Sequence, residues 1–287
     1  MSAGPPLAAF AGRLVELSMD QNGSRYLQHQ FDVAADDSAV AAVLAEALPS
    51  LAMLACDAIA GYMCQKMMER ATHAQRLAIL GALAPEAHGV CCNAHGTRTV
   101  QKLADRLEGA DEIARLRDML APWVLDLAQN ANGNHVLQKC LHKFSPDDNQ
   151  YIYDAVTSPQ AFLAVATHRH GCCVLQRALD HGSPAQCSDI ITKVVRSLLT
   201  LVQDPFGNYV TQYVLELHLP HMPTRYAQAL RGHVAELSMQ KFSSNVIEKV
   251  CFSSPPLAYM FGICTCQKKH TKPITFCHNP SSHICRS

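Results

Sequence analysis

The sequence predicts an all-α solenoid of about seven repeats, each 36–38 residues long. Three observations carry that reading. A nine-residue phrase recurs, as in Asp20-Gln-Asn-Gly-Ser-Arg-Tyr-Leu-Gln28, Asn130-Ala-Asn-Gly-Asn-His-Val-Leu-Gln138 and Asp204-Pro-Phe-Gly-Asn-Tyr-Val-Thr-Gln212. It closes on Gln28, Gln65, Gln101, Gln138, Gln176, Gln212 and Glu248, at successive spacings of 37, 36, 37, 38, 36 and 36. Around each copy the apolar residues follow a helical period, and no stretch alternates as a strand would.

Each unit justifies its elements in the same order. An apolar helix comes first, such as Trp123 to Ala128 or Leu198 to Val202. The phrase then opens on a polar residue followed by a glycine-like position, which suits a short connection. A second helix follows with apolar residues at helical spacing, Val136, Leu137, Cys140 and Leu141 in the fourth copy and Val210, Val214 and Leu217 in the sixth. One such unit cannot bury its own apolar face, so neighbours must stack and share a core.

Composition agrees. Charged residues make up 17% and hydrophobic ones 48%, which excludes a largely disordered chain. Formal net charge is zero, so the broad basic excess of non-specific nucleic-acid binders is absent. Residues 1–150 carry 12 basic and 17 acidic residues, whereas residues 151–287 carry 12 and 7. The N-terminus has no basic, apolar leader, and the apolar stretch from Val40 to Cys64 is interrupted by Glu46, Pro49 and Asp57, so no membrane span is expected. The 13 cysteines are an odd number and sit mostly in apolar helical patterns, as Cys56, Cys64, Cys140, Cys172 and Cys251 do. That suits reduced thiols in an intracellular, cytoplasmic protein.

Three positions in each second helix resist a packing explanation. They are the residue after the glycine-like position, the next one, and the closing Gln or Glu; the first and last are i and i+4 and share a helix face. The sets are Ser24/Arg25/Gln28, Gly61/Tyr62/Gln65, Thr97/Arg98/Gln101, Asn134/His135/Gln138, Cys172/Cys173/Gln176, Asn208/Tyr209/Gln212 and Ser244/Asn245/Glu248. A merely solvated face would drift among Lys, Glu, Gln and Ser. Here the last position is Gln six times, and the middle one is Arg, Tyr or His in five of seven sets. Those middle types stack on planar rings. Edge-readers flanked by stackers, one set per repeat, suit single-stranded bases read one at a time.

The phrases Gly133 to Cys140, Asp204 to Gln212 and Ser243 to Lys249 closely resemble Pumilio repeats, whose family reads one RNA base per helical repeat. The resemblance implies a right-handed, armadillo-like superhelix of three-helix repeats over residues 7–251, followed by a divergent Cys/His-containing tail, 252–287, expected to be poorly ordered. It also implies a cytoplasmic monomer that takes a UGUA-type element in messenger 3′ untranslated regions and represses translation or promotes decay. Repressor or deadenylase proteins would dock on the convex face, and no cofactor or catalytic activity is implied.

Base identities follow partly from chemistry. Glu248 is an acceptor-only carboxylate, and guanine alone offers two adjacent donors on its Watson–Crick edge, so Ser244/Glu248 should select G. The amide pairs Asn134/Gln138 and Asn208/Gln212 suit the mixed edge of uracil. A small hydroxyl or thiol beside Gln (Ser24/Gln28, Thr97/Gln101, Cys172/Gln176) leaves room for a purine and is similar to the family's adenine readers. Since RNA runs antiparallel to the protein in this family, the implied core is 5′-GUAUA(U)A-3′. The bracketed base faces Gly61/Gln65, which lacks one edge-reader. Lys66, Lys102, Lys139, Arg177 and Lys249 directly follow the closing residue in five repeats and form a candidate phosphate row.

The sequence departs from the family in places. Cys173 replaces a stronger stacker, and after Cys251 the eighth repeat is missing or replaced. The seventh repeat is therefore expected to leave Val246 and Val250 uncovered. The tail's Cys264, Cys266, His270, Cys277, His278, His283 and Cys285 fit no common structural zinc spacing, so no metal is assigned. Two other functions fit the sequence less well. A HEAT/armadillo-like protein scaffold would not keep the edge spacing, and a non-specific ribosome-assembly relative would carry more Lys and Arg. His168 and His170 lie near Cys172 and Cys173, but a catalytic pair needs an orienting third group, and the repeat accounts for Cys172.

Overall fold

The computed structural model describes residues 5–253; the Cys/His-containing segment lies outside them. Every regular element among these residues is helical, as the sequence predicts. They pack as two compact units, divided between Val156 and Thr157.

In the first unit, helices Leu14–Met19 and Gln21–Val33 make the first repeat. The second repeat runs Ser38–Ala47, Leu51–Cys56 and Ala60–Arg70, and the third runs His73–Leu83, Ala87–Cys92 and Gly96–Arg106. The fourth is Ala110–Leu120, Val124–Gln129 and Gly133–Lys143. Pro49, Pro85 and Pro122 each stand in a 3-10 turn between the first and second helices. Without an N–H, proline fits the first turn of a helix and stops the preceding one, so each bend falls at the same register. The second unit carries the phrase helices Gly171–His181, Gly207–Glu216 and Ser243–Ser253.

The span Ser38–Cys56 has the length and mean hydropathy, 1.9, of a membrane helix, with half of it buried. Its role is internal. It is two helices on either side of Pro49, and Val40, Val43, Leu44, Ala47, Leu51 and Leu54 are buried within the repeat stack.

In six of the seven copies the residue opening the phrase is a helix cap rather than just a turn former. Asp20 Oδ1 accepts from the amides of Asn22 and Gly23 at 2.9 and 2.8 Å, and Asp57, Asn93, Asn130 and Asp204 repeat the pattern. In the fifth copy His168 Nδ1 accepts from the His170 amide at 3.2 Å. Each cap satisfies orphan donors at the phrase helix's start. The glycine that follows has a separate cause. A Cβ on Gly171 would lie 2.3 Å from the Val165 carbonyl oxygen, so the short helix and the phrase helix could not approach as closely. The seventh repeat has Ser243 there, and its hydroxyl donates to the equivalent carbonyl, Leu237, at 2.7 Å.

One expectation is overturned. Val246 and Val250 are buried, because they point back onto helices Gly207–Glu216, Met222–Ala229 and Val234–Ser238. Among the described residues, Met239 and Phe252 are the large apolar side chains left exposed at this end, 81% and 67%. The nine described cysteines are free thiols, with Cys64, Cys91, Cys140, Cys172 and Cys251 buried.

A buried ion pair ties the third repeat to the fourth. Glu112 has no exposed side-chain surface, and its carboxylate accepts from Arg76 Nε at 2.7 Å. The same carboxylate takes the amides of Glu108 and Gly109 at 3.0 and 2.9 Å, while His73 Nδ1 lies 3.3 Å away. Burial pushes the Glu112 carboxyl up, but Arg76 and those two amides outweigh it and hold the group below the usual range.

Candidate nucleic-acid interface

In five of the seven edge sets the first residue is buried and held by its neighbours. Ser24, Thr97, Asn134, Cys172 and Asn208 are buried. Ser24 Oγ donates to the Ile59 carbonyl at 3.2 Å and Thr97 Oγ1 to the Asn132 carbonyl at 3.0 Å, in each case the turn of the following repeat. The asparagines turn inward along their own helix. Asn134 Nδ2 donates to the carbonyls of Asn130 and Ala131 at 2.7 and 2.9 Å, and Asn208 Nδ2 to those of Asp204 and Pro205 at 2.8 and 3.0 Å.

The closing glutamine rests on that anchor. Gln28, Gln101, Gln138 and Gln212 each donate through Nε2 to the side-chain oxygen four residues earlier, at 3.2, 3.1, 2.7 and 2.9 Å. The second N–H and the amide oxygen of each glutamine stay available to a planar edge. Gln65 stands beside Gly61 and Gln176 beside Cys172, whose thiol burial pushes up to about 12. That thiol is a neutral S–H at physiological pH. Glu248 is exposed, and among the described residues it has no hydrogen-bond partner. Its free carboxylate can take two N–H donors.

The middle residues Arg25, Tyr62, Arg98, His135, Cys173, Tyr209 and Asn245 are all exposed. Consecutive ones wall off concavities floored by edge residues. One of about 430 Å³ lies between Arg25 and Tyr62 over Ser24 and Gln28. Another of about 460 Å³ lies between Cys173 and Tyr209 over Cys172 and Gln176. A third, about 870 Å³, joins Gln212 to Asn245 and Glu248 and is lined also by His218 and His221, both in left-handed backbone conformation.

The candidate phosphate row looks different from its sequence reading. Each of its cations already holds a carboxylate. Lys66 Nζ meets Asp32 at 2.7 Å and Glu69 at 3.3 Å, Lys102 meets Glu69 at 2.9 Å, and Lys139 meets Asp105 at 3.0 Å. Arg177 pairs with Asp180 at 3.1 Å and Lys249 with Glu216. Lys102 and Lys66 together hold the Glu69 carboxyl below its usual range. Half-exposed pairs of this kind contribute about 0–1 kcal/mol each to stability. Sequence reasoning missed Asp32, Glu69, Asp105, Asp180 and Glu216, although their signal is regular: each stands four residues after a closing Gln.

Edge glutamines held in fixed amide geometry in four repeats, with exposed middle residues such as Arg25 and Tyr62 walling the space above them, suit a repeat protein that takes single-stranded bases one at a time. The family model of the Pumilio-family RNA binding repeat matches residues 13–46, 50–84, 88–116, 123–157, 162–195, 197–217 and 233–254, and the chain belongs to that family. It is 46% identical over 242 residues to the Pumilio domain-containing protein C6G9.14 of Schizosaccharomyces pombe, covering 84% of this chain and 35% of the relative. It is 37% identical over 255 residues to putative pumilio homolog 7, chloroplastic, of Arabidopsis thaliana, covering 88% of this chain and 39% of that one. The chain thus spans between a third and two fifths of these relatives' length. Among solved structures it is similar to the Puf4 RNA binding domain bound to the HO endonuclease RNA 3′ UTR recognition sequence, at 37% identity and a TM-score of 0.81, covering 86% of this chain and 78% of that one. The RNA-binding domain of yeast Puf5p bound to SMX2 RNA follows at 30% identity and 0.77, covering 84% and 69%.

Proposed function

We propose that this chain binds single-stranded RNA sequence-specifically, one base per repeat, and acts in post-transcriptional regulation of messages in the cytoplasm. The observation that carries the reading is the i, i+4 edge pair, set by a hydrogen bond in four repeats and flanked by exposed middle residues. The 5′-GUAUA(U)A-3′ core, read from the seventh repeat to the first, places G on Glu248 and uracils on the two Asn/Gln pairs. A UGUA-type element in a 3′ untranslated region contains the start of that core, and the similarity to a Puf4 domain bound to a 3′ UTR recognition sequence supports a target of that class. Repression or decay would follow from proteins recruited by the bound domain.

Unbiased selection of bound RNA at a stated salt concentration tests the reading. Enrichment of G-U-A-U-A is the expected outcome. Recovery of RNA without base preference would sink sequence specificity and leave a general RNA binder.

The second repeat offers a sharper check. A Cβ on Gly61 would meet the Ala55 carbonyl oxygen at 3.4 Å and His95 Cβ at 3.6 Å, which are ordinary contacts. Gly61→Asn should therefore fit and anchor on its own helix as Asn134 does. The second repeat then gains uracil preference of roughly tenfold, the low end of the range for one read base. Competition among RNAs that differ only at the bracketed base measures it; continued indifference would mean that Tyr62 and Gln65 do not hold that base in register.

A further inference from the structure

The pairs on the candidate phosphate row follow a rule. The cation one residue after a closing Gln or Glu meets the carboxylate four residues after the closing Gln of the preceding repeat. Lys66–Asp32, Lys102–Glu69 and Lys139–Asp105 obey it in the first unit, and Lys249–Glu216 in the second. Where the sixth repeat has Tyr213 instead of a cation, its hydroxyl still donates to Asp180 of the fifth repeat. Five rungs at one register are a designed feature of the repeat.

The rungs lie one helical turn or less from the edge residues. By contrast Arg25 and Arg98, at the stacking positions, make no ion pair among the described residues. Attraction for a polyanion comes from cations that release counterions, and a lysine held by a carboxylate contributes little of it.

We propose that Asp32, Glu69, Asp105 and Glu216 restrain RNA affinity: they hold the row's lysines so that base readout, not phosphate attraction, dominates binding. The inference rests on the RNA reading above. Its consequence is release: with those lysines unpaired, strands that fail at the edge pairs would still be held by their phosphates, whereas with them paired such strands dissociate.

The test is the combined variant D32N/E69Q/D105N/E216Q, with affinity for 5′-GUAUAUA-3′ and for a scrambled heptamer followed across salt concentrations. Both RNAs should bind more tightly at low salt, each by on the order of tenfold, with the ratio between them little changed, because phosphate attraction does not depend on base sequence. The plot of log affinity against log salt should steepen by roughly 0.7 for each lysine that gains a phosphate, up to about 2.8 for four. An unchanged slope overturns the proposal, because a purely structural role for the rungs would leave it alone. Should the combined variant fold poorly, E69Q alone carries the test: it should steepen the slope, and adding K102Q should cancel the gain. No steepening in E69Q overturns the proposal equally. Base preference in the wild-type protein with no steepening in the variants sinks only the ladder's role, while absence of base preference in the wild type sinks the RNA reading and this inference with it.

Discussion

Glu248→Gln combined with Ser244→Asn should convert the seventh repeat from guanine to uracil preference. The carboxylate of Glu248 faces the groove with both oxygens free to accept, which matches guanine's two adjacent donors and repels uracil's carbonyls. In the fourth and sixth repeats an Asn anchored on carbonyls of its own helix holds a Gln at 2.7 and 2.9 Å. Position 244 offers the same carbonyls: the Ser244 amide already donates to the Gln240 carbonyl, and its hydroxyl points at Lys241. The new Asn should therefore anchor in place and orient the new Gln. One read base is worth about 1–3 kcal/mol, so the G-to-U ratio should swing from tenfold or more in one direction to a comparable factor in the other. Competition between heptamers differing at that base measures the swing. A retained G preference would refute the edge assignment at this repeat.

Arg76→Ala should have the largest effect on stability. It strips the guanidinium from a carboxylate with no exposed surface, and breaking a buried pair from one side costs about 3–5 kcal/mol. The loss should be local. Hydrogen exchange in helices His73–Leu83 and Ala110–Leu120 should accelerate most, with little change in the seventh repeat, since repeat proteins couple mainly to neighbours. The pH dependence has a definite sign. Glu112 is held below the usual carboxylate range in the folded state, so its contribution is present above the unfolded value and lost as pH falls through the folded one. The wild type and the variant should then differ most near neutrality and converge in acid. A difference that persists at low pH would assign the effect to packing of the arginine stem.

How much of this was legible beforehand depended on whether the signal was periodic. Gln28 and its six counterparts stand out because identity and spacing repeat together, so the edge pairs are visible in the sequence alone. The carboxylates four residues later repeat too, but each alone reads as a solvated charge. Glu112 gave no such signal, since a single Glu on an amphipathic helix is usually exposed.

The sequence by itself determined the all-α repeat fold, the number of repeats and the order of edge residues, because each depends on local spacing along one chain. Tertiary structure decided what depends on two repeats at once. It set the lysines against carboxylates of the preceding repeat, buried Val246 and Val250 against neighbouring helices, and left room for a side chain at Gly61. Those outcomes turn on the offset between adjacent phrase helices, a distance and angle fixed by side-chain packing and close backbone approach.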